Sequence, residues 1–369
     1  MPQSDILECL LIADDLTGAC DAAVHFAVRG HRAVVSLHAR LDAPGAGAWA
    51  VSTESRGLGQ EELRAVFADL CSTGLGHSPS ALIFKKIDST LRGNAGAEIA
   101  LAAEAFACQS AIVTPAFPAM DRVVESGVLR VAGAAFDPID LAAYWRAQGL
   151  SDCAHVAPGD VSSALAAGAR FISVDAAADS DLDAIAAAGL ASTRRLLWAG
   201  SAGLASALAR AVARGPHMPT RHAERYRALL FCIGSRHAVT IEQQSQLAGA
   251  RPVAIVDAET AQPERIAEAL RGGLHVALQV PFGRVAPQRI RWLIGDCRGP
   301  LVLSGGATAA LVCRALGVSE IRLDREIAPG IPLGAVAGGL FDGAPIVTKS
   351  GGFGKPGALI QIADDLTCP

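Results

Sequence analysis

Ala81-Leu82-Ile83-Phe84-Lys85-Lys86-Ile87-Asp88-Ser89-Thr90-Leu91-Arg92-Gly93-Asn94 passes from an apolar stretch into a polar turn, and the chain then continues to Phe106 with an Ala-rich helical pattern. A short buried strand over Ala81–Phe84 that opens into a helix through such a turn is the repeating unit of a parallel sheet. The order recurs at the N-terminus. Cys9–Ala13 reads as a buried strand, Asp14-Asp15-Leu16-Thr17-Gly18 as its turn, and Ala19–Val28 as the helix. Between these units lie strand-like Ala33–Leu37 and Ala48–Ser52, a polar loop Thr53–Gly57 and a helix near Gln60–Ser72. Alternation of this length predicts a doubly wound α/β sheet whose ligand crevice lies beyond the C-terminal ends of the strands.

The lysines single out the chemistry. Of 32 basic residues only Lys85, Lys86, Lys349 and Lys355 are lysine. An ammonium is a compact point charge and a guanidinium a rigid fork, so a chain that uses Arg by default keeps Lys where Arg cannot substitute. All four lie in two motifs, the stretch above and Lys349-Ser350-Gly351-Gly352-Phe353-Gly354-Lys355, which points to two halves meeting at one polar site. In the first half Asp15 and Asp88 are the candidate catalytic carboxylates, although a single Asp before a helix is commonly only an N-cap. Asp14, Lys86, Ser89, Arg92 and Arg122 are the candidate substrate contacts, with a solvated charged loop or a structural ion pair as the plainer alternatives. Pro115-Ala116-Phe117-Pro118 predicts a rigid turn before a hairpin over Val123–Val131.

The apolar period stops at 215–227, where Gly215, Pro216 and Pro219 accompany several charges, and this is the candidate linker between a domain at 1–214 and another at 228–369. The second half restarts at Leu229–Ile233 with the turn Gly234-Ser235. It then alternates strands Val253–Val256, Val276–Gln279 and Leu301–Leu303 with helices. Ser304-Gly305-Gly306-Ala307-Thr308 follows one strand and the Lys349–Lys355 motif another. Glycines at such turns let backbone N–H groups approach an anion. Ile362–Thr367 repeats Ile12–Thr17, but without the Gly and the following helix it reads as a helix end.

Composition bounds the rest. A chain of 369 residues, half of them hydrophobic, suits two α/β domains. A net charge of −4 gives no basic face for nucleic acid. Nine scattered cysteines, none spaced C-x-x-C, argue against a disulfide framework or a zinc site. Leu10–Ala13 is too short for a signal peptide or membrane span, so the expected location is the cytoplasm. No G-x-G-x-x-G follows the first strand, which weighs against a dinucleotide-dependent dehydrogenase.

Taken together, Ala13-Asp14-Asp15-Leu16-Thr17-Gly18-Ala19, Lys86-Ile87-Asp88-Ser89-Thr90-Leu91-Arg92-Gly93, Pro115–Pro118, Gly305-Gly306-x-Thr308 and Lys349–Gly354 resemble the four-carbon acid sugar kinase family, in the family's order and across almost the whole chain. The resemblance implies two α/β domains with mainly parallel sheets and an active site in the cleft between them. It also implies ATP-dependent phosphorylation, with Mg²⁺, of the terminal hydroxyl of a sugar acid such as threonate, erythronate or 3-oxo-tetronate. The acid falls to Asp15, Lys86, Asp88 and Arg92. The nucleotide falls to Ser235, Gly305, Gly306, Ala307, Thr308, Lys349, Gly351, Gly352 and Gly354. Ala307 stands where the family often has an acid, and Arg236-His237 follow Ser235 in place of small polar residues. No metal ligand is assigned, and a homodimer is compatible with the sequence. The competing non-enzymatic reading is a regulator that binds ATP and a sugar acid without turnover.

Overall fold

The computed structural model describes residues 8–37, 47–74, 81–132, 136–217 and 226–367. In the N-terminal half, parallel strands lie in the order Ala33–Ser36, Ala48–Ser52, Cys9–Ala13, Leu82–Lys86, Leu196–Gly200, Ser110–Thr114, Phe171–Val174 and Cys153–Val156. In the C-terminal half the parallel order is Val253–Asp257, His275–Gln279, Leu230–Ile233, Leu301–Ser304 and Pro345–Lys349. Helices cover both faces, so Cys9–Ala13 is buried at all five positions and reads as a continuous apolar run.

The halves are not separate sheets. Glu320–Ala328 and Ile331–Ala337 form an antiparallel hairpin, turned by Pro329 and Gly330 (φ 72°), between Pro345–Lys349 on one side and Ala33–Ser36 on the other. Glu320 lies opposite Ser36 and Leu323 opposite Ala33, which joins fifteen strands into one mixed sheet. In the strand Glu320–Ala328, Ile321 and Leu323 are buried with Arg322 exposed between them, so its apolar side chains face the core at the junction. The expected pair of α/β halves is therefore present, with their sheets fused edge to edge.

Each half has one strand at which the winding reverses. Cys9–Ala13 sits between Ala48–Ser52 and Leu82–Lys86, and Leu230–Ile233 sits between His275–Gln279 and Leu301–Ser304. Reversal splays the following turns apart and opens a crevice beyond the strand ends.

Some boundaries differ from expectation. The strand expected at Ala81–Phe84 runs on through Lys86, so both lysines are strand residues with side chains turned into the protein. Most of the expected linker, 218–225, lies outside the described residues, while His217 pairs with Asp324 at 3.0 Å. The repeated Ile362–Leu366 segment ends the helix Ala358–Leu366. The hairpin is found as Arg122–Glu125 with Val128–Val131, turning at Ser126 and Gly127, which has φ 75°. The eight described cysteines form no disulfide with one another, and no helix among the described residues is long and apolar enough to cross a membrane.

Candidate functional site

Asp15 is an extended residue whose side chain caps the helix Leu16–Ala27, its Oδ1 accepting from the Gly18 N–H at 2.6 Å. Its other oxygen lies 2.8 Å from Nη1 of Arg56. Arg56 binds Asp14 with two more nitrogens, Nε at 2.7 Å and Nη2 at 3.1 Å, and reaches Asp88 at 3.6 Å. One guanidinium therefore ties together the carboxylates of both N-terminal motifs. Sequence reasoning placed Arg56 in a polar loop and gave it no role. The available signal was its position just after a parallel strand beside the reversal point.

Asp88 sits in a closed turn. It accepts from the N–H of Thr90 at 2.9 Å and from Nε and Nη2 of Arg92 at 3.1 and 2.5 Å. Left-handed Leu91 (φ 60°) and Gly93 (φ 90°) bend the chain so that Arg92 returns to Asp88, and the Leu91 carbonyl accepts from the Tyr144 hydroxyl at 2.9 Å.

The two aspartates are in opposite electrostatic conditions. Burial and the neighbouring Asp14 charge raise the Asp15 pKa above the ordinary aspartate value, against the pull of Arg56, Lys86 and the Gly18 N–H. Burial also works to raise Asp88, but there the hydrogen bonds and charge of Arg92, with Arg56 and Thr90, win and hold the carboxyl well below the ordinary range.

From the other half, Leu301–Ser304 ends in Gly305 (φ 101°), and the helix Gly306–Leu316 begins immediately. The Asp15 carboxylate lies against this helix start. A methyl on Gly306 would fall 2.9 Å from Asp15 Cγ and closer still to Oδ2. Thr17 Oγ1 meets Ser350 Oγ at 3.1 Å, and Phe353 packs edge-on against Phe117 with ring centroids 6.2 Å apart. The two reversal points thus face each other across one crevice.

That crevice holds two adjoining cavities. One, of about 210 Å³, is bounded by Asp15, Thr17 and Arg56 on one side and by Ser235, Gly305–Thr308 and Gly351–Gly352 on the other. The second, of about 700 Å³, is lined by Ser89, Arg92, Arg122, Phe353 and Gly354 among others. Arg92, His237, Ser350 and Gly352 form the wall they share. Asp14, Lys86 and Lys349 line neither cavity: Asp14 is behind Arg56, and Lys86 donates to the Ile87 carbonyl at 2.9 Å. Lys85 is a buried strut paired with Glu98 at 2.5 Å.

Lys349 differs from the expected phosphate charge. Fully buried, its ammonium donates to the carbonyls of Ser350 (3.0 Å) and Phe353 (3.1 Å), with Gly351 O and Thr240 Oγ1 at 3.4 Å. Gln243 Nε2 takes the carbonyls of Phe353, Gly354 and Lys355, each at 3.0 Å. The glycine turn is therefore wound around two interior donors, which draw its carbonyls inward. Lys349→Met should lower the melting temperature by several degrees, because each buried acceptor left without a donor costs about 1–3 kcal/mol. Thermal melts with and without nucleotide check this. An unchanged melt with lost nucleotide affinity would show the ammonium acting on the ligand directly.

Residues 9–143 and 139–208 match the family model of a sugar-binding N-terminal domain, and 284–359 that of a nucleotide-binding C-terminal domain. The chain is 33% identical to a D-threonate kinase of Bordetella bronchiseptica, over 96% of each chain. It belongs to the four-carbon acid sugar kinase family. Similarity extends to a Cupriavidus necator D-threonate kinase (30% identity; 95% of this chain, 96% of the other). A Heliobacterium modesticaldum D-erythronate kinase is 27% identical over 97% and 96%. A crystal structure from Salmonella typhimurium shares the fold, with a TM-score of 0.78 at 20% identity over 98% of this chain and all of that one. As a four-carbon acid sugar kinase, the chain is an enzyme that phosphorylates a sugar acid, and its nucleotide-binding half is the one that carries the Gly305-Gly306 turn.

Proposed function

We propose that ATP is the phosphoryl donor, that the acceptor is the terminal hydroxyl of a four-carbon acid, and that D-threonate is the substrate to test first. The observation that carries this reading is the contact between the Asp15 carboxylate and the N-terminus of the helix Gly306–Leu316. A helix start with glycine N–H groups suits the anionic phosphates, and a carboxylate at the same point suits the proton released by the attacking hydroxyl.

Asp15 is the general base in this reading. Its raised pKa gives it more basicity than Asp88, whose two arginine partners keep it ionised and hydrogen-bonded. Arg92, oriented by Asp88, and Arg122 bind the carboxylate of the acid in the larger cavity. Arg122 is itself held by the Met120 carbonyl and by the Phe353 ring, 5.1 Å from its guanidinium carbon. Ser235, Gly305–Thr308 and Gly351–Gly352 surround the phosphates. The hydroxyls of Thr17 and Ser350 offer only oxygen donors beside them, which fits a magnesium ion held mainly by phosphate and water. Bound Mg²⁺ would supply neutralisation of phosphate charge.

A coupled ADP assay across the D and L isomers of threonate and erythronate tests the reading. ADP release should require both Mg²⁺ and one tetronate. Turnover of none of the four would overturn the choice of acceptor, and turnover with another nucleotide but not ATP would overturn the donor. Arg122→Ala should raise the KM for the acid by about tenfold or more, since a charge-assisted hydrogen bond contributes roughly 1.5–3 kcal/mol, and leave the KM for ATP nearly unchanged. The reverse pattern would move Arg122 to the nucleotide.

The family-model matches at 9–208 and 284–359 agree with a sugar-binding half followed by a nucleotide-binding half. We take the change-over to fall at 215–227.

A further inference from the structure

Behind the crevice, roughly 9 Å along the helix axis from Asp15 at 1.5 Å per residue, the same helix carries a second polar cluster. Asp21 and His25 stand one turn apart on Leu16–Ala27, on the face that packs against the strand Glu320–Ala328, where Glu326 meets them. One ligand-type atom from each of the three lies within 4.8 Å of the others, and His25 Nδ1 is 3.8 Å from Glu326 Oε2. None of the three lines the two cavities of the crevice.

The cluster is poorly satisfied by protein alone. Asp21 is 2% exposed and His25 8%, and Asp21 Oδ1 and His25 Nε2 are shielded from water with no hydrogen-bond partner among the described residues. An unpartnered buried polar atom is costly, so Asp21 Oδ1 calls for a group that completes it. Glu326 is fixed from behind by the Gly330 N–H, which donates to its Oε1 at 2.8 Å and leaves Oε2 toward His25.

We propose that Asp21, His25 and Glu326 form a binding site for a divalent cation of the zinc or manganese type. Ligand atoms at about 2.0–2.2 Å from a tetrahedrally bound ion stand roughly 3.3–3.6 Å apart. His25 Nδ1 and Glu326 Oε2, at 3.8 Å, are already near that spacing, and the widest pair, which lies within 4.8 Å, closes by up to about 1.2 Å on binding. One imidazole with two carboxylates suits Zn²⁺ or Mn²⁺ better than Mg²⁺, which prefers oxygen and retains its waters. Three protein ligands leave a position for water. Because Glu326 belongs to the hairpin that fuses the two sheets and the helix carries Asp15 at its start, the ion pins the catalytic helix to the junction of the halves. The site is separate from the magnesium that accompanies the nucleotide.

The test uses the full chain after chelator dialysis, without nucleotide. Calorimetry with ZnCl₂ and with MnCl₂ should give one saturable site per chain for at least one ion. That ion should raise the melting temperature by several degrees, and MgCl₂ should not. His25→Gln and Glu326→Gln should each weaken binding at least tenfold. Co²⁺ as a spectroscopic probe should give a ligand-field band without thiolate charge-transfer absorption, which decides the matter on the unmodified chain if a variant fails to fold. No saturable binding of either ion, undiminished binding in both variants, or a thiolate band would each overturn the proposal.

Discussion

Asp15→Asn should lower kcat by about 10²–10⁴-fold, the usual cost of losing a general base, while the KM for the acid changes little. The expectation rests on the division between two carboxylates that share Arg56. Asp88 is consumed by Arg92 and Thr90, so Asp88→Asn should act mainly by releasing Arg92, and so raise the KM for the acid more than it lowers kcat. Asp15 must be ionised to accept a proton. The acid limb of the kcat/KM profile should therefore lie above the ordinary aspartate value and vanish in Asp15→Asn. Stability moves the other way. A carboxyl whose folded pKa is raised contributes stability that is present below its unfolded pKa and is lost as pH rises through the folded one. Removing the charge should leave the melting temperature at pH 7 unchanged or higher. A melting temperature that fell together with the rate would mean that Asp15 holds the fold, not the proton.

Much of this arrangement is legible in the sequence, and the reason is the parallel sheet. Cys9–Ala13 and the start of Leu82–Lys86 are enclosed by the sheet and its helices, so they are written as apolar runs that end abruptly in Asp14-Asp15 and in Lys85-Lys86-Ile87-Asp88. The Gly305-Gly306 turn is equally visible, because φ 101° at Gly305 and the close approach of Asp15 to Gly306 leave little room for a side chain. What the pattern hides is set by contacts across long separations. Arg56 looks like any loop arginine until the fold brings three carboxylates to it. Lys349 sits in a motif that suggests phosphate binding, yet its ammonium turns back into its own turn, a direction that no local sequence encodes. The fusion of the two sheets through Glu320–Ser36 pairing likewise depends on an edge strand of one half finding an edge of the other.

Gly306→Ala should reduce kcat/KM by about 10²-fold, the penalty for displacing a reacting group by roughly 1 Å. The added methyl would overlap Asp15 Oδ2. Rotation of the Asp15 carboxylate away from it is opposed by the Gly18 N–H at 2.6 Å and by Arg56 at 2.8 Å. Relief then requires the helix start to withdraw, which widens the gap between the carboxylate and the phosphate-binding turn. Gly306 is the first residue of its helix and has no positive φ, so alanine suits its backbone; the fold should survive, with the melting temperature lowered only by the cost of that local withdrawal. The decisive measurement is the double variant. If the methyl acts by displacing Asp15, Gly306→Ala should cost little once Asp15 is already Asn, because both changes remove the same function. Full multiplicative loss in the double variant would show that Gly306 serves the nucleotide independently of Asp15, and the contact between carboxylate and helix start would lose its catalytic meaning.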